Sequence, residues 1–266
     1  MDVNELLALH DQHQRIEVEH RNMRREATPD VVRHVALKHG YGGVVLYSRL
    51  SEANVDGVIG EQIAYFEQLG QDFEWKTYDH DTPGDLKARL IAHGFEAAEP
   101  EALLVLDIEA APAILWQPVI HDIRRITDPD RLEEYRRIQE SVWDEPHDWQ
   151  ITALSDDLIN DPDHVSVYVA YAAGVPVSTA RIDFHDHNPF AGLWGGSTLP
   201  EYRGRGFYTA LLATRLQEAR QRGVRFLVID ASPMSRPIVE KNGFQFLTFT
   251  QPFTWQVKQQ ADATKP

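Results

Sequence analysis

The sequence predicts an α/β protein with mixed sheets, built in two halves. Three observations predict it. Short β-rich runs alternate with stretches whose apolar residues recur at helical spacing. Clusters of Gly, Pro, Asn and Asp separate them. The second half also holds a strand, a glycine-bearing turn and a long helix within residues 193–223, around which the other elements can be laid out. With 266 residues, 42% of them hydrophobic and 10% aromatic, the chain can pack two domains of ordinary size.

In the first half, Asp2 to Glu26 reads as a helix, with Leu6, Leu9, His13 and Ile16 along it and charges between. Val31–Leu37 and Gly43–Leu50 are β-rich runs parted by the turn residues His39-Gly40-Tyr41-Gly42. Asn54 opens a helix that ends near Gly70, and Phe73–Tyr78 alternates as a strand does. Thr82-Pro83-Gly84-Asp85 starts a helix with Pro in its first position, Gly94 ends it, and Leu103–Ile108 is a further strand. This gives an N-terminal α/β domain over 1–111. A linker over 112–118 follows, then a second domain over 119–258 and a flexible tail over 259–266.

The second domain begins with a strand at Val119–Thr127. Asp128-Pro129-Asp130 caps a helix running to about Val142, and the loop 143–149 leads to another that ends near Asn160. Strands are expected at Val165–Tyr171, Pro176–Phe184 and Leu193–Thr198, with Gly195-Gly196 marking a bulge in the last. Pro200 stops that strand, because it has no N–H for the ladder. Arg203-Gly204-Arg205-Gly206 makes a turn, and Phe207, Leu211, Leu212, Leu216 and Ala219 set a helix that Gly223 closes. A strand at Arg225–Ile229, a short helix at Arg236–Lys241 and two closing strands within Gln245–Val257 complete the domain.

The glycine turn carries the chemistry. Gly204 and Gly206 let the backbone approach a ligand, and the first N–H groups of a helix are unpaired and favour an anion. Two arginines lie in the same turn, so the stretch outlines a diphosphate cradle. A G-x-x-x-x-G-K-[ST] phosphate loop is absent. A dinucleotide fingerprint would need glycine where Thr209 stands, although Asp230 could serve as its ribose acid. That leaves an NAD(P)-dependent oxidoreductase open as one alternative. The stretch P-E-Y-R-G-R-G-F-Y, with Arg203 and Gly206 in the pattern arginine, two residues, glycine, resembles the GNAT (GCN5-related N-acetyltransferase) superfamily. Tyr208 departs from its last position. The element order over 119–257 is also similar to that family's fold, and the N-terminal half looks like a degenerate GNAT repeat without the glycine turn.

The resemblance implies acetyl-CoA as cosubstrate and an N-acyltransferase that acts on a primary amine of a small molecule or peptide. It implies that main-chain groups at Ser197, Thr198 and Leu199 pair with the pantetheine arm. Arg203, Gly204, Arg205, Gly206, Phe207, Tyr208 and Thr209 would hold the diphosphate, with Ser232 to Arg236 on the far side of the thiol arm. Val239 stands where many relatives carry the tyrosine that protonates the thiolate, so Ser235 or a water is expected in that role. Loss of catalysis, leaving an acyl-CoA-binding sensor, is the other alternative. Asp183 is the expected general base, and a main-chain N–H near Thr198 the expected oxyanion donor. Trp143, Asp144 and Trp149 would form an acceptor wall suited to a cationic amine.

Composition limits the rest. The formal net charge is −15, which argues against nucleic acid as a partner. Residues 203–241 nevertheless hold eight Lys/Arg against three Asp/Glu, while 122–186 hold six Arg against fifteen Asp/Glu. The basic segment suits an anionic cofactor, the acidic one a cationic acceptor. There is no cysteine, hence no disulfide and no thiolate metal site. The pair His185 and His187 has no third ligand nearby in sequence, and no metal is expected. No membrane span or signal peptide is legible, so a cytoplasmic protein is expected. The N-terminal half would cover the acceptor or mediate a homodimer.

Overall fold

A computed structural model describes residues 1–38 and 41–257; the expected turn residues His39 and Gly40 and the expected tail 259–266 lie outside the described residues. The chain divides into two compact units, Met1–Leu103 with the segment from Leu247 onward, and Leu104–Phe246. These limits differ from those read from the sequence. The last strand falls in the first unit, and residues 104–111 fall in the second.

In the first unit, helix α1 (Val3–His10) carries a capping box made by Asp2 and Glu5 and continues into a π-helical turn, Asp11–Ile16. The expected helix to Glu26 stops there, and Met23–Ala27 is instead strand β1. Its sequence, MRREA, has no apolar alternation. It is held by antiparallel pairing with β2 (Val31–Ala36) and by Glu26, which takes both Arg24 and Arg33. Then follow β3 (Gly43–Ser48), α2 (Val55–Leu69), β4 (Phe73–Tyr78), α3 (Leu86–Ala92), the short β5 (Glu96–Ala97) and β6 (Glu101–Asp107). The expected helix at Pro83 begins only at Leu86.

The chain's last strand, β12 (Gln245–Trp255), is one continuous strand rather than the expected two. From Thr250 to Trp255 it runs antiparallel to β4. The strand order in this unit is β1-β2-β3-β4-β12. Phe66, Phe73, Trp75, Leu90, Phe253 and Trp255 form its core. Burying such side chains contributes about 1.5–3 kcal/mol each.

The second unit takes β6 from Leu104 and adds β7 (Asp122–Ile126), α4 (Leu132–Trp143), α5 (Asp148–Asn160), β8 (Val165–Ala172), β9 (Val175–Phe184), β10 (Phe190–Thr198), α6 (Phe207–Gln221), β11 (Phe226–Ala231) and α7 (Arg236–Lys241). Strand order is β6-β11-β10-β9-β8-β7. The pairs β7–β8, β8–β9 and β9–β10 are antiparallel, and β10–β11 is parallel. A doubly wound parallel sheet, which the dinucleotide alternative requires, is not what these strands form. The expected linker 112–118 includes a 3₁₀ turn, Ala113–Trp116, whose Leu115 is fully buried. Gln217 of α6 donates to the Leu115 carbonyl at 2.9 Å, so this segment is packed rather than free. Tyr135 and Ile138 of α4, Leu154 of α5 and Val165, Val167 and Val169 of β8 make one core.

Candidate acyl-CoA site

Two adjacent parallel strands part company in the second unit. β10 and β11 pair only at Phe190–Phe226, Ala191–Leu227 and Gly192–Val228, although β10 continues to Thr198 and β11 to Ala231. An opening follows Gly192. On its other edge β10 stays paired with β9, with a bulge between Trp194 and Ser197. The bulge falls on Gly195-Gly196, as the sequence led us to expect. Gly195 has φ +59°, and a Cβ there would lie 2.0 Å from the Tyr135 hydroxyl.

The bulge rests on buried polar side chains that the sequence did not single out. Gln139 of α4 donates to the Gly195 carbonyl at 2.7 Å and to Thr179 Oγ1 at 2.9 Å, and accepts from Ser197 Oγ at 3.1 Å. Ser178 Oγ donates to the Ser197 carbonyl at 2.8 Å. A planar trans peptide points its C=O and the next N–H in opposite directions. With the Gly195 and Ser197 carbonyls turned toward β9, the N–H groups of Gly196 and Thr198 turn toward the opening. Leu199 N–H is spent on the Val177 carbonyl, 3.0 Å away. Of the three main-chain positions expected to meet the pantetheine arm, only Thr198 therefore offers its N–H, and Gly196 joins it. The Thr198 carbonyl is taken by Arg203 Nε at 3.1 Å.

Beyond β10, a 3₁₀ turn at Pro200–Tyr202 leads into the glycine loop. Gly204 (φ +72°) and Gly206 (φ +83°) both take the left-handed conformation that the turn requires. Gly206, which has no side chain to spend on the helix's first N–H groups, caps α6. Arg203, Gly204, Arg205 and Gly206 are exposed, whereas Phe207 is buried. His121 Nε2 lies 3.1 Å from the Arg205 carbonyl and its ring packs edge-on against Phe207. Tyr208 leans back over the bulge, 3.1 Å from where a Gly196 Cβ would be, and burial raises its hydroxyl above the usual tyrosine range. Thr209 is half-buried in the same first turn.

The other expected site residues scatter around this opening. Asp183 stands opposite Gly192 in the ladder, with Oδ1 3.7 Å from Arg181 Nε. Burial lowers the Arg181 guanidinium, but Asp183, Tyr135 and Asp157 outweigh it and hold it above its ordinary value. Tyr135 is fully buried, and burial pushes its hydroxyl up. Ser235 caps α7 and turns onto the Ser232 carbonyl at 3.3 Å. Arg236 pairs with Glu240 at 2.8 Å and stacks on Phe246. Val239 is fully buried in the core. Trp143, half-exposed at the end of α4, donates its indole N–H to Ser197 Oγ at 3.0 Å, while Trp149 stays exposed on α5. Asp144 closes α4 with φ +55°. No group of His, Asp and Glu that could hold a metal is found among the described residues, and no helix among them is long and apolar enough to cross a membrane.

The second unit thus combines a mixed sheet that splays between two parallel strands with a glycine loop at the start of the following helix. Residues 128–244, within the second unit, match the acetyltransferase (GNAT) family. The chain is 27% identical over 134 residues to aminoglycoside N(6')-acetyltransferase type 1 of Salmonella enteritidis, covering 47% of this chain and 91% of that protein. In three dimensions it is similar to a GCN5-related N-acetyltransferase from Kribbella flavida, with a TM-score of 0.66 at 15% identity over 93% of this chain and 94% of that one. It is also similar to a tandem GNAT protein from the clavulanic acid biosynthesis pathway, with a TM-score of 0.56 at 14% identity over 97% and 96% of the two chains. The first unit is thus a second GNAT-like α/β domain.

Proposed function

We propose that the second unit binds acetyl-CoA and transfers its acetyl group to a primary amine of a small molecule or peptide, by direct attack in a ternary complex. The observation that carries this reading is the opening between β10 and β11, which leads to the glycine loop at the start of α6. The N–H groups of Arg205 to Thr209 would receive the diphosphate, aided by the helix dipole and by Arg203 and Arg205. The Gly196 and Thr198 N–H groups would meet the pantetheine arm and the thioester carbonyl, with Ser232 and Arg236 across the opening.

In the reaction the amine nitrogen attacks the thioester carbon. The C–N bond forms, the negative charge gathers on the carbonyl oxygen beside a main-chain N–H, and the C–S bond then breaks with its electron pair on sulfur. The nitrogen's proton passes to Asp183, directly or through water. The thiolate takes a proton from Ser235 or water, because Val239 has none to give. Trp143, Asp144 and Trp149 would line the acceptor's approach and suit a cationic amine. A cytoplasmic setting and a homodimer accord with this reading.

A second reading, an acyl-CoA sensor without turnover, is favoured by Val239 and by the Arg181 partner of Asp183. One experiment separates them. Acetyl-CoA is expected to raise the melting temperature, and an amine and aminoglycoside panel to release free thiol. A thermal shift without thiol release supports the sensor, and no shift with any acyl-CoA defeats both.

A further inference from the structure

The first unit contains a similar parting of parallel strands. β3 and β4 pair at Gly43–Phe73, Val44–Glu74 and Val45–Trp75 and no further, though β3 runs to Ser48 and β4 to Tyr78. The gap is filled by the protein itself. Arg15, fully buried in the π-helical turn, donates from Nε to the Leu46 carbonyl at 2.9 Å, the first residue of β3 beyond the pairing. Its Nη2 reaches Asp81 Oδ1 at 2.7 Å. Asp81 Oδ2 in turn accepts the Tyr78 N–H at 2.9 Å, a main-chain group of β4. The guanidinium lies 3.8 Å over the Tyr78 ring, and Nη1 holds Asp11 at 3.0 Å. One ion pair thus spans the two parted strands and satisfies a main-chain group on each, which is the part a bound pantetheine amide would play.

The helix that follows β3 is also unsuited to a diphosphate. The stretch 49–54, RLSEAN, has no glycine, and Asn54 at the start of α2 accepts the Ser51 N–H at 2.8 Å and donates to Asp30 at 2.9 Å. Asp56, in the first turn of α2, is paired with Arg89 at 2.6 Å.

We propose that Arg15 and Asp81 permanently occupy the first unit's ligand opening, so that each chain takes one acyl-CoA, in the second unit. The comparison rests on the reading of the second unit given above. Calorimetric titration of the intact chain with CoA is expected to give one equivalent bound. Gly204→Val/Gly206→Val, checked for folding by circular dichroism, is expected to bind none. A second equivalent, or one that survives this double substitution in folded protein, overturns the proposal. If the wild-type chain binds none, the reading of the second unit fails while the closed first unit stands. Arg15→Leu leaves Asp81 buried without its cation and is expected to lower Tm by about 10 °C. An unchanged Tm would mean that the pair does not hold the strands, and would also overturn the proposal.

Discussion

Tyr171, near the end of β8, receives Arg131 Nη2 at 2.7 Å and donates its hydroxyl to Glu134, while Arg124 covers its ring. Burial, followed by Glu134, pushes this hydroxyl up to about 12, against about 10 for a free tyrosine. The folded state therefore keeps a proton that the unfolded chain loses first. The stability this contributes is complete below about pH 10 and is lost as pH rises toward about 12, with a slope near 1.4 kcal/mol per pH unit. Tyr171→Phe removes this group, so its urea-unfolding stability should fall less steeply over that window. Parallel curves for the two proteins would refute the assignment. Arg215 of α6 shows the opposite balance. It is buried against the Leu211 and Arg181 carbonyls, and burial lowers its guanidinium.

At the scale of elements, the bulge in β10 is the most constrained feature of the opening. Gly195→Ala would place a methyl 2.0 Å from the Tyr135 hydroxyl at φ +59°, and is expected to destabilise the chain by about 2–4 kcal/mol in chemical denaturation. Tyr135→Phe in the same chain should recover part of that loss, because the nearest ring carbon lies at 3.0 Å. No recovery would mean that backbone strain alone carries the cost. This bulge, the glycine loop and α6 were legible in the sequence because glycine and proline act locally. β1 was not, since a polar strand held by Glu26 ion pairs has no apolar period. Gln139 was not, since a glutamine on an amphipathic helix gives no sign that it turns inward. The sequence also could not reveal that Leu199 N–H is already paired, because that depends on the register with β9.

At the scale of the whole molecule, the sequence showed two halves but not how the chain is shared between them. A strand's partner is set by non-local pairing, and nothing local in Gln245–Trp255 assigns it to β4. Removing the chain after Phe246 takes Phe253 and Trp255 from the first unit's core and leaves one edge of β4 unpaired. Limited proteolysis read by mass spectrometry should then cut within residues 1–103 sooner than in the full chain. Equal protection would contradict the shared arrangement. The same feature has a consequence in time. A ribosome has made every residue from the first through the second hundred before it reaches the strand that completes the earliest unit. That unit must wait, unfinished, until the ribosome has passed residue 255, while the segment encoded between its two parts already has its own strands to hand.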